Sequence, residues 1–111
     1  ENVEEIESFY KEVSLFDLAK YFKEAMDRMP VITSYELKRE AISLDYKKEH
    51  ILQCFDGDGI LSFKRLLSNC ENKIEMIITF LALLDLIRLS KVTVFQNKLF
   101  DKIEIHQLEK N

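Results

Sequence analysis

The sequence predicts a mainly α-helical fold with a small antiparallel sheet, and three observations lead to this prediction. Apolar residues recur at three- and four-residue steps through residues 3–29, 43–55 and 73–89, which is the spacing of amphipathic helices. Residues 91–96 and 103–106 instead alternate between apolar and polar side chains, as strands do. The 111 residues are 47% hydrophobic and 32% charged, which is typical of a globular domain, and they allow one domain or a small domain with a helical extension.

The first helix is predicted within residues 1–30, with its best-defined part at 15–29. Ser14, with Asp17 three positions later, has capping-box spacing and is predicted to cap this part, and Pro30 ends it. An isolated helix of this kind is marginally stable, so its apolar stripe must pack either on the domain or in a partner's groove. The stripe consists of Leu15, Leu18, Ala19, Phe22, Ala25, Met26 and Met29, with Phe16 and Tyr21 on its flanks.

Residues 31–42 are predicted to be a connector, in which Thr33 and Glu36 repeat the capping-box spacing and allow a short helix. The domain boundary is placed here. Residues 1–42 form a helical segment with its connector, and residues 43–111 form a compact domain. Because the sequence begins without a Met, we expect the chain to be a fragment of a longer protein.

Hydroxyl and amide side chains mark the helix starts of the compact domain. Ser43 precedes the first helix, which the two glycines, Gly57 and Gly59, are predicted to end. Residues 60–63 read as a short strand, followed by a short helix that Ser62 caps. Asn72, with a glutamate three positions later, precedes the strongest helix, at 73–89. Two strands follow and form a hairpin, with a polar turn at residues 97–98.

The predicted order from residue 43 is helix, short strand, helix, helix, strand, strand. This is the order of a winged helix, a helix-turn-helix variant with a hairpin wing. The predicted fold class is therefore mainly α with a small antiparallel sheet: a winged-helix domain preceded by a helical segment. In a DNA-binding winged helix, the third helix enters the major groove, and its exposed face carries Arg, Lys, Asn, Gln or Ser.

The third helix of this domain, at 73–89, lacks such a face. Its polar or small residues form one narrow stripe, and we expect this stripe to be the exposed face. Such a face would repel phosphate, because two of its five members are acidic. The net charge of the chain is −4, which also disfavours nucleic acid as the main ligand. The stripe consists of Glu75, Thr79, Ala82, Asp85 and Arg88.

The rest of this helix is apolar over more of its circumference than a small core requires. Two interpretations remain open: the wing and the first helix bury it completely, or part of it faces a partner or the N-terminal helix. The wing poses a similar choice. A partner sheet could add to its edge, or the hairpin could simply place one face on the core.

No residue pattern points to catalysis or to a cofactor, and we predict no enzymatic activity. His50 and His106 have no nucleophile partner, and His50 is predicted to lie near the apolar face of its helix. Residues 56–59 lack the later ligands of a calcium loop and are predicted to be a turn. Cys54 and Cys70 are predicted to be reduced thiols of a cytosolic protein, without a metal site. No apolar run reaches membrane-spanning length.

Several segments resemble the bacterial segregation and condensation protein A family, the kleisin subunit of the SMC condensin complex. The most specific is TFLALLDLIRLSKV at residues 79–92, followed by Gln96, Phe100 and Ile103 in the wing. SLFDL at 14–18, KREAISL at 38–44 and ILSF at 60–63 support it. The resemblance covers nearly the whole chain from residue 14.

The resemblance implies an adaptor in the cytoplasm, associated with the nucleoid, that acts in chromosome condensation and segregation. It implies that residues 43–111 bind an SMC ATPase head and that the helical segment 1–42 binds a dimer of segregation and condensation protein B, with DNA contacted only indirectly and no membrane. The implied head-binding residues are Val92, Val94, Phe95, Phe100, Ile103 and Ile105. The implied companion-binding residues are Leu15, Phe16, Leu18, Tyr21 and Phe22.

The chain departs from the family pattern at the wing. Ser90 stands where a glycine is expected, and residues 100–103 read FDKI where FGDI is expected, so a wing turn of different shape is predicted. Two other functions are weighed against the adaptor. One is a DNA-binding winged-helix regulator, supported by the fold and by lysines such as Lys91 and Lys98. The other is a self-associating structural domain.

Overall fold

The protein is mainly helical, with one three-stranded antiparallel sheet, as predicted. A computed structural model describes residues 3–29, 43–97 and 102–108, with side chains from Ser14 onward except that of Asn97. The elements follow in the predicted order. They are α1 (Val3–Asp27), α2 (Leu44–Gln53), β1 (Ile60–Ser62), α3 (Phe63–Ser68), α4 (Lys73–Arg88), β2 (Val92–Asn97) and β3 (Lys102–Gln107).

Helix α1 lies within the predicted residues 1–30 but runs through Ser14 without a break. The predicted cap at Ser14 is therefore wrong. Leu, Lys and Glu, which are strong helix formers, surround this serine and carry the helix past it. At the other end, the backbone N–H groups of Arg28 and Met29 donate to the carbonyl oxygens of Ala25 and Met26, which closes the helix just before Pro30. The predicted connector at 31–42 lies outside the described residues.

The three other predicted caps are confirmed. The side-chain oxygens of Ser43, Ser62 and Asn72 accept hydrogen bonds from backbone N–H groups three residues ahead, at 3.0, 3.3 and 2.9 Å. Each oxygen satisfies one of the donors that a helix start leaves unpaired. Helix α2 ends at Gln53, earlier than the glycines that were predicted to end it.

Residues 56–59 form the predicted turn. Asp56 Oδ1 accepts from the backbone N–H groups of Asp58 and Ile60, at 2.9 and 3.2 Å. Gly59 takes a φ of 72°, a conformation that a residue without a Cβ adopts at little cost. The turn delivers the chain directly into β1.

The sheet has the strand order β1-β3-β2, so the hairpin of β2 and β3 is extended by the short strand β1. Ile105 is central: it lies opposite Val94 on one side and Leu61 on the other. Because side chains alternate between the faces of a strand, Ile105 and Ile103 point into the core while Glu104 and His106 lie on the outer face. The predicted hairpin is confirmed. Asn97 belongs to β2, and Lys98, the other residue of the predicted turn, lies outside the described residues.

The second half of α1 packs on the rest of the domain. Leu18 is fully buried, the ring of Phe22 stacks on that of Phe80 at 4.1 Å, and Tyr21 meets Phe63 edge-on at 5.6 Å. Of the two predicted arrangements for the stripe of α1, packing on the domain is therefore the one observed. These contacts join α1 to one hydrophobic core. Its other members are Ala25, Ile51, Leu61, Phe63, Leu66, Leu67, Met76, Ala82, Leu83, Leu86, Ile87, Val92, Ile103 and Ile105.

Helix α4 ends in a Schellman motif built on a serine. The backbone N–H of Lys91 donates to the carbonyl of Leu86 at 2.9 Å, and that of Ser90 donates to the carbonyl of Ile87 at 3.0 Å. Ser90 has a φ of 59°, in the left-handed region that usually holds glycine at this position. The serine therefore stores backbone strain where helix α4 turns into the wing.

Replacing Ser90 by glycine is expected to stabilise the domain by about 1 kcal/mol, because a Cβ in the left-handed region costs roughly that much. Urea denaturation followed by circular dichroism measures the change. Ser90→Ala keeps the Cβ and is the control, for which no such gain is expected. Equal stability of the glycine and alanine variants would contradict the assignment of strain.

Candidate protein-binding surface

The polar stripe of α4 is largely covered, and only Arg88 at its end is exposed. Thr79 and Ala82 are 1% and 0% exposed, so the prediction that this stripe forms the exposed face is wrong. Helix α2 packs along this side of α4. The two acidic members of the stripe, Glu75 and Asp85, pair with lysines of α2. The residues taken for a solvent-facing surface are thus a helix–helix interface.

Two ion pairs hold the interface between α2 and α4. Lys47 is 4% exposed, and its Nζ lies 3.0 Å from Glu75 Oε2. Lys48 Nζ lies 2.7 Å from Asp85 Oδ2, and Arg88 reaches the other oxygen of this carboxylate at 2.6 Å. Lys47 and Glu75 are 28 positions apart in the sequence, so no local sequence pattern predicts that they pair.

These contacts shift the pKa values of the charged groups. The hydrogen bond from Lys48 and then that from Arg88 lower the pKa of Asp85, and the same carboxylate raises the pKa of Lys48. For Glu75, burial alone would raise the pKa. The hydrogen bonds from the Glu71 backbone N–H and from Lys47 outweigh burial, and the pKa is lowered. Both carboxylates therefore favour their charged forms in the folded domain.

The side of α4 next to this interface, which we call the outer face, carries aliphatic side chains. Leu81 is 50% exposed, and its neighbours on this face are half-buried. One of the two predicted arrangements was complete burial of this helix, and the exposure of Leu81 shows that it is not the one observed. Arg88, near the helix end, is already paired with Asp85. The other aliphatic members are Ile74, Ile77, Ile78 and Leu84.

The wing residues singled out from the sequence divide into two groups. Val92, Ile103 and Ile105 are buried in the core, so they hold the strands in place and expose almost no surface. Val94 is half-buried, and Phe95 is 51% exposed on the outer face of the sheet. Phe100 lies outside the described residues.

Phe95 belongs to a small group of side chains on the outer face of the sheet. Its ring lies 5.3 Å from the ring of His106, and His106 Nε2 is 3.0 Å from Glu104 Oε1. The exposed aromatic ring is thus held beside a polar pair, an arrangement that suits the edge of a protein interface.

The residues singled out on α1 also divide. Leu18 is fully buried, while Tyr21 and Phe22 are half-buried and make the ring contacts with the core described above. Leu15 is half-buried. Phe16, on the opposite side of the helix, is 73% exposed. Among the side chains of α1 that are described, from Ser14 onward, Phe16 is the large apolar one most open to a partner.

The histidine and cysteine side chains, which could take part in catalysis or metal binding, do not form one site in the described residues. His50 is exposed, and its ring stacks on that of Tyr46 with the ring centroids 6.4 Å apart. Cys54 and Cys70 are free thiols, and burial raises the pKa of Cys70. Within residues 3–29, 43–97 and 102–108, no cluster of three or more His, Cys, Asp or Glu residues suits a metal ion, and no helix is both long and apolar enough to cross a bilayer.

Comparison with known proteins identifies the family. Residues 1–108 match the family model described as segregation and condensation protein ScpA. The chain belongs to the ScpA family. Segregation and condensation protein A of Clostridium acetobutylicum is 30% identical over 104 residues, which is 88% of this chain and 42% of that protein. The protein of the same name from Brevibacillus brevis is 32% identical over 97 residues, 84% of this chain and 37% of that protein. No solved structure matches the chain.

The ScpA-family chain spans about two fifths of the length of the relatives it matches, as the 42% share of the Clostridium acetobutylicum and Halothermothrix orenii proteins shows. The resemblance stated from the sequence is thereby confirmed. Two residues of the outer face of α4, Leu81 and Leu84, lie within the segment that carries the most specific part of that resemblance, residues 79–92.

Neutralising Glu75 is expected to destabilise this ScpA-family domain strongly. Glu75→Gln leaves the buried ammonium group of Lys47 without its anion, and breaking a buried pair in this way costs roughly 3 kcal/mol. Glu49→Gln removes the same charge from an exposed position of α2 and should change the free energy of unfolding by less than about 0.5 kcal/mol. Similar losses in both variants, measured by urea denaturation, would contradict a specific role for the pair.

The domain is also expected to lose stability in acid. Because the pKa values of Glu75 and Asp85 are lowered on folding from ordinary values of 4.5 and 3.8, their stabilisation is complete above those values and is lost as the pH falls through the folded-state pKa values. Asp85→Asn should therefore be less stable than the native chain at neutral pH and converge with it in acid. Urea denaturation across a pH series measures this, with Glu49→Gln as the control. A constant difference between Asp85→Asn and the native chain would refute the linkage.

Proposed function

We propose that this chain is the C-terminal part of a non-enzymatic kleisin-type adaptor, a winged-helix domain that binds protein and not DNA. The helix–strand–helix–helix order, closed by the hairpin of β2 and β3, supports the winged-helix assignment. Membership of the ScpA family, whose relatives are named for segregation and condensation, supports a role in chromosome segregation and condensation.

The outer face of α4 is the observation that carries the proposal. A winged helix that reads DNA directs this helix into the major groove and needs cationic and amide side chains there. Here the outer face is aliphatic, Leu81 is half exposed, and the cation at its end, Arg88, is neutralised by Asp85. Such a surface gains free energy by leaving water against another apolar surface. We infer that its ligand is a polypeptide.

The partner proposed for the domain is the ATPase head of an SMC protein, as the family resemblance implies. The wing contributes Phe95, since this is the exposed aromatic residue among its described side chains and aromatic residues often dominate binding energy. The buried wing residues act indirectly, by fixing the sheet that presents Phe95. The outer face of α4 supplies further apolar area, centred on Leu81.

The helical segment is proposed to bind the companion subunit, a dimer of segregation and condensation protein B. On the described part of α1, Phe16 is directed away from the core while Leu18 and Phe22 attach the helix to the domain. One side of α1 is thus used for folding, and the other remains open to the companion. The adaptor then links two partners through two different surfaces.

Two aspartate substitutions test the proposal by calorimetry. Leu81→Asp and Phe95→Asp should each weaken binding to an isolated SMC head domain at least about tenfold, because a charge on an apolar contact must be desolvated without a partner. Phe16→Asp is the matched control: it should keep head binding and lose binding to the companion dimer.

Two results would contradict the proposal, provided that the variants remain folded. All three variants are at exposed positions, so their unfolding midpoints should match that of the native chain. Head binding that survives both Leu81→Asp and Phe95→Asp would exclude these surfaces. Tight binding to duplex DNA with a steep dependence on salt concentration would instead favour a DNA-binding regulator.

A further inference from the structure

A small pocket opens where the end of α1 meets α3 and the start of α4. Its volume is about 200 Å³, which is below the range of about 300–1,000 Å³ that is usual for small-molecule sites. A pocket of this size can take a single large side chain. It shares no residue with the outer face of α4, with Phe95 or with Phe16.

The floor of this pocket is apolar and belongs to the core. Ala25, Leu67 and Met76 line it, and each is at most 9% exposed. The half-buried side chains of Tyr21 and Met29 also contribute to the lining. Because the core of the domain holds these residues in place, the pocket is formed before any ligand arrives.

The neutral polar groups of the lining already have partners. The hydroxyl of Ser68 donates to the carbonyl oxygen of Lys64 at 2.8 Å. The thiol of Cys70 lies 3.6 Å from the carbonyl oxygen of Leu66 and 3.5 Å from Thr79 Oγ1. These groups do not call for hydrogen bonds from a ligand, so the inside of the pocket suits an apolar side chain.

The charge of the lining comes from two cations. Arg28 of α1 and Lys64 of α3 both line the pocket, and both are exposed. Neither forms an ion pair with any residue in the described part of the chain. Among the described residues, no aspartate or glutamate lines the pocket. The lining therefore carries two positive charges and no negative one.

The carboxylates that adjoin lining residues in the sequence do not cancel this charge. Two of the four, Asp27 and Glu75, are already paired with lysines at 3.1 and 3.0 Å. The other two are matched in number by two exposed cations that also adjoin lining residues. These four residues are Glu24, Glu71, Lys20 and Arg65. The two cations of the lining therefore set the sign of the local potential, which attracts an anionic group.

We propose that this pocket binds an acidic segment of a partner polypeptide that carries one apolar anchor residue. The anchor enters the pocket, and carboxylates beside it pair with Arg28 and Lys64. The apolar floor selects the anchor, and charge complementarity selects its acidic neighbours. Of the residues assigned to other surfaces above, the pocket includes only Tyr21, so the test of this site does not depend on those assignments.

A polypeptide fits this pocket better than a phosphate or a nucleic acid does. Proteins that bind duplex DNA neutralise many phosphates, often about six to ten, whereas the lining offers two cations. A phosphate that entered the pocket would lose its hydration against an apolar floor without gaining hydrogen bonds there. A peptide can instead place an apolar side chain on the floor and keep its carboxylates at the cations.

Fluorescence anisotropy tests the proposal on the full chain, with a labelled peptide that has one leucine between two pairs of glutamates. We expect saturable binding that weakens as the salt concentration is raised. The double substitution Arg28→Glu and Lys64→Glu should weaken binding at least about tenfold, because it replaces attraction by repulsion. The same peptide with serine in place of leucine should also bind at least about tenfold more weakly, since it leaves the floor uncovered.

The matched control reverses two exposed cations that adjoin the pocket in the sequence but do not line it. Lys20→Glu with Arg65→Glu makes the same change in net charge. This variant should lose clearly less affinity than the variant of the lining, and equal weakening in the two would overturn the proposal. Circular dichroism verifies that both double variants are folded.

Cys70 reports where the peptide binds. It lines the pocket, while Cys54 is exposed outside it. Bound peptide should slow the alkylation of Cys70 by iodoacetamide, followed by mass spectrometry, and leave the rate at Cys54 unchanged. An unchanged rate at Cys70 with saturating peptide would overturn the proposal, as would the absence of binding to the native chain.

Two further results would assign the pocket to a different occupant and so overturn the proposal. One is displacement of the peptide by duplex DNA at lower concentration, since the pocket would then prefer phosphates. The other is self-association of the native chain in sedimentation velocity that Arg28→Glu with Lys64→Glu abolishes, since the occupant would then be a second copy of the chain.

Discussion

The ion pair between Lys47 and Glu75 fixes the side of α4 that packs against α2. A lysine that is 4% exposed is tolerable only with an anion beside it, and Glu75 supplies that anion at 3.0 Å. The pair holds α2 against the side of α4 that carries its polar and small residues. With that side occupied, the aliphatic residues around Leu81 are left to face outward. The apolar outer face is therefore a consequence of how the polar groups are satisfied.

The parts of the fold that could be predicted from the sequence are those that local rules determine. Ser43, Ser62 and Asn72 cap their helices as predicted because a cap needs only a short side chain and a backbone N–H three residues ahead. The hairpin likewise follows from the alternation of residues 91–96 and 103–106. Ser14 satisfies the same local rule but lies within a helix, because the segment before it is also helical.

The candidate surface was harder to predict because it depends on contacts between distant residues. A stripe of Glu75, Thr79, Ala82 and Asp85 looks solvent-exposed as long as α2 is treated separately. Lys47 and Lys48 pair with the two acidic residues of this stripe and so turn it toward α2. No local sequence pattern predicts these partners. Burial within the wing is similar: alternation places Val92, Ile103 and Ile105 on one face, but only the packing shows that this face is the core. What remained accessible was Phe95, on the other face.

The geometry of α1 has a mechanical consequence. It is a single helix of 25 residues, so it spans about 37 Å at 1.5 Å per residue, and its described core contacts begin near Leu15. Because the helix is continuous, the half that carries Leu18 and Phe22 sets the direction of the whole rod. The stacking of Phe22 on Phe80 thereby also fixes where the backbone at Val3 stands relative to the domain.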